Sequence, residues 1–280
     1  MSNTVSASLV LFNNAPEIYG EALKSFIGCQ NAGVLVIVDN SAEPLVHPFF
    51  QHAQVKYIHA GTNLGFGAGH NLALAHLPAQ APYHLFLNPD VKFDAAVLPA
   101  LVDRMDAVQD IAAIMPRINF EDGSLQRLCK LLPTPVDLIL RRFIPVRRIQ
   151  TWLNERYELH GLSQDTLSDV PTISGCFLMT RRAALEDVGG FDTRYFMYME
   201  DVDLVRRLNA KGRVAYDPTV SVVHVYAKGS YRNRKLLGYH LASAIRYFNK
   251  WGWWFDSERR QRNFSTLQGL RKPRGTPPVY

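Results

Sequence analysis

Long apolar runs are missing from this sequence. The longest, such as Val34–Val38, hold only a few residues, against the roughly 20 that a membrane-spanning helix needs. No transmembrane segment is expected. Met1–Ser8 is polar and lacks a basic segment followed by an apolar one, so it does not read as a secretory signal. Cysteine is scarce. Cys29, Cys129 and Cys176 lie far apart with no CxxC pair, which excludes a disulfide framework and a cysteine-based zinc site and suits a reducing cytosol. Two phosphate-binding signatures are also missing. No G-x-x-x-x-G-K-[ST] occurs, and the glycine cluster starting at Gly65 places His70 where a dinucleotide fingerprint needs its last glycine. No internal repeat is visible.

What is present is an ordinary globular balance over 280 residues, 47% hydrophobic and 20% charged. That suits one large domain or a domain with a modest appendage, and it argues against a disordered chain. The net charge of +6 is uneven. Residues 1–125 carry 5 basic and 11 acidic side chains, and residues 161–225 carry 7 and 9. Residues 126–160 carry 7 and 3, and residues 226–280 carry 12 and 2. An acidic body with two basic segments attracts phosphates or anionic lipid heads. Trp251, Trp253, Trp254 and Phe255, followed by Arg259, Arg260 and Arg262, favour the headgroup region of a bilayer. The stretch Leu138–Trp152 has the same mixture, broken by Pro145. No nucleic-acid-binding motif accompanies the charge.

The first half alternates strand and helix signals. Ser6–Phe12, Val34–Val38, Val55–Ile58 and His84–Leu87 read as strands, the first two buried. Pro16–Ile27 reads as a helix with Ile18, Ala22, Leu23, Phe26 and Ile27 on its apolar face. Ala68–Leu77 reads as a helix stopped by Pro78, and Asp94 as the N-cap of a helix reaching about Val108. Such alternation predicts a mostly parallel α/β sheet flanked by helices, with ligands beyond the C-terminal strand ends. Asp39 and Asp90 both follow strands, so their carboxylates are expected on one rim. Further on, 124–165 reads as helical or looped and basic. Thr172–Thr180 and Val220–Val225 read as strands, Asp201–Lys211 and Leu236–Trp251 as helices, and Arg271–Tyr280 as a mobile tail.

Four features could carry chemistry. The glycine-rich Gly61–Asn71 stretch sits between a strand and a helix, as a phosphate loop would, or is simply a tight turn. Asn88-Pro89-Asp90 sets a carboxylate on a rigid turn, suited to magnesium or manganese on a diphosphate, although an Asp there is more often a turn or cap. Glu200, Asp201 and Asp203 crowd three acids at a helix start, where the dipole tolerates them and where one can serve as a general base. They point in different directions, so only one or two can face a cleft. Tyr195, Phe196 and Tyr198 could wall a sugar or belong to the core. His224, in SVVHVY, is either a core histidine or a further metal ligand near a carboxylate.

The order and spacing of these features say more than any one of them. SLVLFNN, VIVDNS, NLGFGAGHN, LFLNPDV, SGCFLM, VGGFD, FMYMEDVDLVRRL and VVH, over roughly residues 5–225, resemble the family-2 glycosyltransferases of the GT-A fold. They look most like the bacterial rhamnosyltransferase-like subgroup. The resemblance implies a catalytic domain over 1–225, with a nucleotide-sugar-binding half (1–120) and an acceptor-binding half (121–225). A basic, aromatic helical segment and tail (226–280) would follow. It implies that Asp39 bonds the pyrimidine base, that Phe12 and Asn13 line that pocket, and that Asn63, Gly65 and Asn88 lie near the nucleotide. Asp90 and His224 would hold a divalent ion, Mg2+ or Mn2+, on the diphosphate. Asp201 would be the catalytic base, supported by Glu200, with Gly175 and Asp192 near the acceptor. Asn88 replaces the first acid of the family's D-x-D, as is usual in this subgroup, and removes one carboxylate from the metal site. The tryptophan often preceding the SG segment is absent (PTISG).

The function implied is inverting transfer of a sugar from a nucleotide-sugar donor, L-rhamnose from dTDP-L-rhamnose, to a lipid-linked saccharide or lipopolysaccharide. The transfer would occur at an anionic membrane surface on the cytosolic side. Two alternatives are a UDP-sugar donor (galactofuranose or N-acetylglucosamine) on the same fold, and a non-catalytic nucleotide-sugar-binding partner. Nucleic acid is not expected as a partner.

Overall fold

The computed structural model describes residues 4–78, 81–138, 146–225 and 234–271. Its strands are β1 (Val5–Leu11), β2 (Ala32–Asp39), β3 (Val55–His59), β4 (Tyr83–Leu87), β5 (Val91–Lys92), β6 (Ile111–Asn119), β7 (Ser168–Asp169), β8 (Phe177–Arg181) and β9 (Arg213–His224). They form one sheet in the order β3-β2-β1-β4-β8-β6-β9-β5, with β7 also paired to β9. β3, β2, β1 and β4 pair in parallel, as do β6 and β9. β8 runs antiparallel to both β4 and β6 and closes the gap between the two sets. The mostly parallel α/β sheet expected from the sequence is present.

β1 and β4 are almost wholly buried, which is why they read as continuous apolar runs. Ser6 and Ser8 on β1 are the polar exceptions. Ser6 Oγ meets His84 Nδ1 at 3.0 Å, and Ser8 Oγ meets His84 Nε2 at 2.9 Å and His70 Nδ1 at 2.7 Å. Bonding to one another offsets most of the cost of burying these groups; His70 Nε2 is left without a hydrogen-bond partner among the described residues. Burial pushes the His70 imidazole down to about 3 and His84 well below its ordinary value, so both stay neutral in the core.

The helices are α1 (Pro16–Ile27), α2 (Phe66–Leu74), α3 (Val97–Ala107), α4 (Pro135–Leu138), α5 (Arg147–Tyr157), α6 (Arg182–Val188), α7 (Glu200–Leu208), α8 (Arg234–Trp251) and α9 (Ser257–Arg271). α1 buries Tyr19, Ala22, Leu23 and Phe26, whereas Ile18 faces solvent. Asp94 does not cap α3. Its carbonyl accepts from Val97 N in a turn, and Ala96 holds the cap position. The expected strand Thr172–Thr180 becomes continuous only from Phe177 and runs on to Arg181, and β9 reaches back to Arg213.

α8 and α9 are tied into the body through α7. Arg206 of α7, 2% exposed, binds Asp256 bidentately at 2.7 and 2.8 Å and Glu258 at 2.9 Å. Its guanidinium also lies 4.0 Å from the Trp251 ring. Asp203, fully buried, accepts from Trp251 Nε1 and Arg207 Nε at 2.8 Å each and pairs with Lys250 at 2.7 Å. Leu267 and Leu270 of α9 pack on the main core, and Asn263 exchanges two 2.9 Å bonds with the Leu132 backbone.

This docking divides the aromatic, basic segment between core and surface. Trp251 and Trp253 pack on a small core of Tyr195, Met199, Ala244, Tyr247 and Phe248. Arg259 is buried, and Arg262 pairs with Glu258. Trp254, Phe255 and Arg260 do face solvent, as do Leu237, Leu241 and Ile245 along α8 and Phe264 on α9. In the other segment, Ile149 and Trp152 of α5 are exposed. Residues 139–145, 226–233 and 272–280 lie outside the described residues, and with them most of the Leu138–Pro145 stretch and nearly all of the expected tail.

Candidate active site

The parallel register brings the ends of β1, β2 and β4 together. Leu11 stands opposite Asp39, and Leu9 opposite Leu87. Asp39 and Asp90 therefore emerge on one rim. Phe12 is 47% exposed there. Asn13 adopts a positive φ of 52° and donates its N–H to Ser41 Oγ at 2.8 Å.

Asp39 is not free to meet a base directly. Its side chain is fully buried and accepts from Ser41 N (2.9 Å), Leu45 N (2.8 Å) and Tyr57 Oη (2.6 Å). Burial works against the charge, but these donors outweigh it and hold the carboxyl below its ordinary value. The sequence shows the acid at the strand end but not Tyr57, on the neighbouring strand β3, which binds it. Asp39 acts here by fixing the 40–45 loop beside Asn13.

Asn63 Oδ1 accepts from Gly65 N at 3.0 Å, shaping the turn into α2. Gly65 has φ 84° and ψ 179°, a region essentially reserved for glycine. An added methyl would collide with the Phe196 carbonyl oxygen, which accepts from Phe66 N at 3.1 Å. The glycine loop thus locks against the segment leading to α7.

At the end of β4, Asp90 Oδ1 lies 3.2 Å from His224 Nε2, at the end of β9. The backbone keeps them together, since Val91 pairs with His224 and Val225 N donates to the Asp90 carbonyl at 2.8 Å. His224 Nδ1 faces Gln126 Oε1 at 3.0 Å. Gln126 was not singled out in the sequence; its only signal is an amide between apolar Leu125 and Leu128. Asn88 Oδ1 is buried without a hydrogen-bond partner among the described residues, and Asp90 Oδ1 meets only the His224 ring there. No group of three or more His, Cys, Asp or Glu side chains suited to a metal occurs among those residues. One carboxylate, one imidazole and the Asn88 oxygen are nevertheless donors of the kind that a divalent ion takes.

Asp201, in the first turn of α7, is bound at both oxygens. Oδ2 accepts from Gly175 N at 3.0 Å and Oδ1 from Val202 N at 2.8 Å. The next residue, Cys176, accepts from Asn88 N at 2.8 Å through its carbonyl. Two consecutive residues before β8 thus tie the α7 carboxylate to the end of β4. Tyr198 and Met199, just before α7, both hold positive φ, 68° and 66°. Strain of this kind persists where surrounding contacts impose it. Glu200 is buried, with Oε2 lacking a hydrogen-bond partner among the described residues. Burial first, and the Asp201 charge second, push its carboxyl up to about 8.

Asp192 is engaged by two cations. Arg194 binds it bidentately at 2.6 and 2.9 Å, and Lys250 at 2.8 Å. Bonds from Arg194, ahead of any desolvation, hold its carboxyl far below the usual range. Tyr195 belongs to the core, whereas Phe196 and Tyr198 are half-buried against Tyr239 and His240 of α8.

Parallel sets of four and two strands, joined by antiparallel β8, thus carry a carboxylate–imidazole pair and a helix-borne acid at one rim. The family model "Glycosyl transferase family 2" matches residues 9–189, and the chain belongs to that family. It is 31% identical over 222 residues to the N-acetylglucosaminyl-diphospho-decaprenol L-rhamnosyltransferase of Mycobacterium tuberculosis, covering 73% of this chain and 70% of that one. It is 28% identical over 276 residues to rhamnosyltransferase WbbL of Escherichia coli, covering 95% and 99%. Among solved structures it resembles GalNAc-T7 with UDP, GalNAc and Mn2+, with a TM-score of 0.62 at 13% identity. That match covers 98% of this chain and spans about half, 52%, of the other. It also resembles S. aureus TarS 1–349 in complex with UDP-GlcNAc, with a TM-score of 0.60 at 14% identity over 94% and 71%.

Proposed function

We propose that this glycosyltransferase moves L-rhamnose from dTDP-L-rhamnose to a hydroxyl of a lipid-linked saccharide or lipopolysaccharide, with inversion at the anomeric carbon. One observation carries the transfer reading: Gly175 and Cys176 join Asp201 to the strand end that bears Asp90, so a base and a diphosphate site share one rim. The rhamnosyltransferase relatives support the donor and the acceptor class.

Asp201 is held by two backbone N–H groups and stays a fixed acceptor. It takes the proton of the acceptor hydroxyl as that oxygen bonds to the anomeric carbon. The bond from that carbon to the diphosphate oxygen breaks, and its electron pair leaves with the nucleoside diphosphate. A single displacement needs no covalent nucleophile and parallels inverting glycosidases, with a sugar hydroxyl in place of water. Glu200, buried beside Asp201, has its own carboxyl pushed up to about 8, by burial first. Asp90 and His224 would hold a divalent ion, which supplies charge neutralisation to the departing diphosphate. Phe12 and Asn13 border the nucleotide, with Asn63 and Gly65 shaping the loop beside it.

The reading includes peripheral docking on the inner face of an anionic membrane. No helix among the described residues is long and apolar enough to cross one. Trp254, Phe255, Phe264 and Trp152 are exposed near basic side chains, a mixture that suits a headgroup layer. Flotation with vesicles with and without anionic lipid tests this, and the absence of salt-sensitive binding would remove it.

The enzymatic test is transfer to a short-chain prenyl-diphosphate N-acetylglucosamine by purified protein with Mn2+ or Mg2+, across dTDP-, UDP- and GDP-sugars. Product with dTDP-rhamnose alone is expected. Product only with a UDP-sugar overturns the donor and keeps the chemistry.

A further inference from the structure

We propose that Gln126 is a positioning residue that fixes His224 as its Nδ1-protonated tautomer and so presents the Nε2 lone pair to a divalent cation shared with Asp90. The inference rests on the metal role proposed above for Asp90 and His224.

Gln126 is itself rigidly placed. The chain turns back after β6 through Gly123, with Phe120 N donating to Ser124 O at 2.8 Å. Asn119 bridges to Leu125, and Gln126 N donates to Ile118 O at 2.9 Å. β6 lies beside β9, with Asn119 opposite Val223. The Gln126 side chain, in a residue 5% exposed, is therefore delivered to His224 by backbone pairing.

Its amide orientation follows from chemistry. Gln126 Nε2 lies 2.7 Å from the His224 backbone carbonyl, and a carbonyl oxygen can only accept, so the amide NH2 must occupy that end. Oε1 is then the atom 3.0 Å from His224 Nδ1. An amide oxygen can only accept, so Nδ1 must carry the proton. In the neutral ring Nε2 is left with its lone pair, aimed at Asp90 Oδ1 at 3.2 Å. A divalent cation between Nε2 and the carboxylate would take both as ligands, in the place that a ring proton otherwise fills. Ligating histidines characteristically donate their other ring N–H to an outer acceptor, which sets the tautomer and ring orientation. Gln126 does this with both ends of its amide, one on the ring and one on the backbone of the same residue. The site has one carboxylate fewer than a D-x-D pair, which makes a correctly turned histidine more important.

The first test needs no metal. Long-range 1H–15N correlation on 15N-histidine-labelled full-length protein, with His224→Ala identifying the signal, is expected to show Nδ1 protonated in the wild type and that preference lost in Gln126→Leu. A bare Nδ1 in the wild type overturns the inference. The second test follows Mn2+ binding by electron paramagnetic resonance in the presence of dTDP, and again with UDP. Gln126→Leu is expected to weaken Mn2+ binding about 10- to 100-fold, and Gln126→Glu, which keeps an acceptor on Nδ1, to restore most of it. If Asp90→Asn and His224→Ala lose Mn2+ while Gln126→Leu keeps it, the positioning role fails and the metal site stands. If Asp90→Asn and His224→Ala also keep Mn2+, both readings fail.

Discussion

The backbone N–H of Gly175 donates to Asp201 Oδ2 at 3.0 Å, and an added methyl carbon at Gly175 would stand 3.1 Å from Asp201 Cβ. The glycine lets the carboxylate settle on the turn that leads into β8. Gly175→Ala should displace Asp201 by a few tenths of an ångström without unfolding the chain. Misplacements of about 1 Å can cost 10²-fold, so kcat is expected to fall about 10-fold with the donor KM nearly unchanged. Steady-state kinetics read this split, and a change confined to KM would count against it.

Asp201→Asn removes the proton acceptor and keeps the shape. A fall in kcat of about 10²- to 10⁴-fold is expected, with donor affinity close to that of the wild type by calorimetry. Undiminished turnover would show that another group takes the proton.

Glu200 gives stability a pH dependence. Its carboxyl rises from 4.5 to about 8 on folding, chiefly through burial. The folded chain keeps a proton that the unfolded chain releases near 4.5, so stability is complete below that pH and declines as pH rises to about 8. Glu200→Gln mimics the protonated state at every pH. The variant should match the wild type in thermal midpoint near pH 5 and exceed it near pH 8.5. An equal shift at both pH values would rule the buried proton out.

Gly65→Ala forces a side chain into a glycine-only conformation and against the Phe196 carbonyl. The conformation alone costs about 1–3 kcal/mol. Urea unfolding should show at least that loss, and an unchanged midpoint would mean that the loop adopts another path.

Arg206→Ala strands the buried Asp256 carboxylate. Breaking such a pair from one side costs about 3–5 kcal/mol. A lowered urea midpoint and faster protease cleavage within 251–271 are expected, and either result alone would leave the buried pair unsupported as the clamp on α8 and α9.

The sequence displays the elements that bury continuous apolar stripes, namely β1, β2, β4 and α1, and the strand-end positions of Asp39 and Asp90. It also marks the acids of α7, because like charges crowded at a helix start stand out. It does not display what each acid meets. Asp39 is consumed by Tyr57 from β3, and Asp192 by Lys250 from α8, 58 residues away. Such partners lie far off in sequence, so no local spacing announces them. β6 escapes the strand reading although Ile111–Met115 is apolar, because Pro116 falls within it. Proline usually marks an edge or an end, and here the register shift beside β9 at Pro116–Arg117 accommodates it.

The Arg206 clamp also bears on inheritance. The helix that presents Asp201 to the rim is gripped from behind by Asp256, Glu258 and Trp251, and the exposed Trp254 and Phe255 sit on the same short loop. Grafting these last helices from one relative onto another would unseat Asp201 unless the Arg206 socket travelled with them.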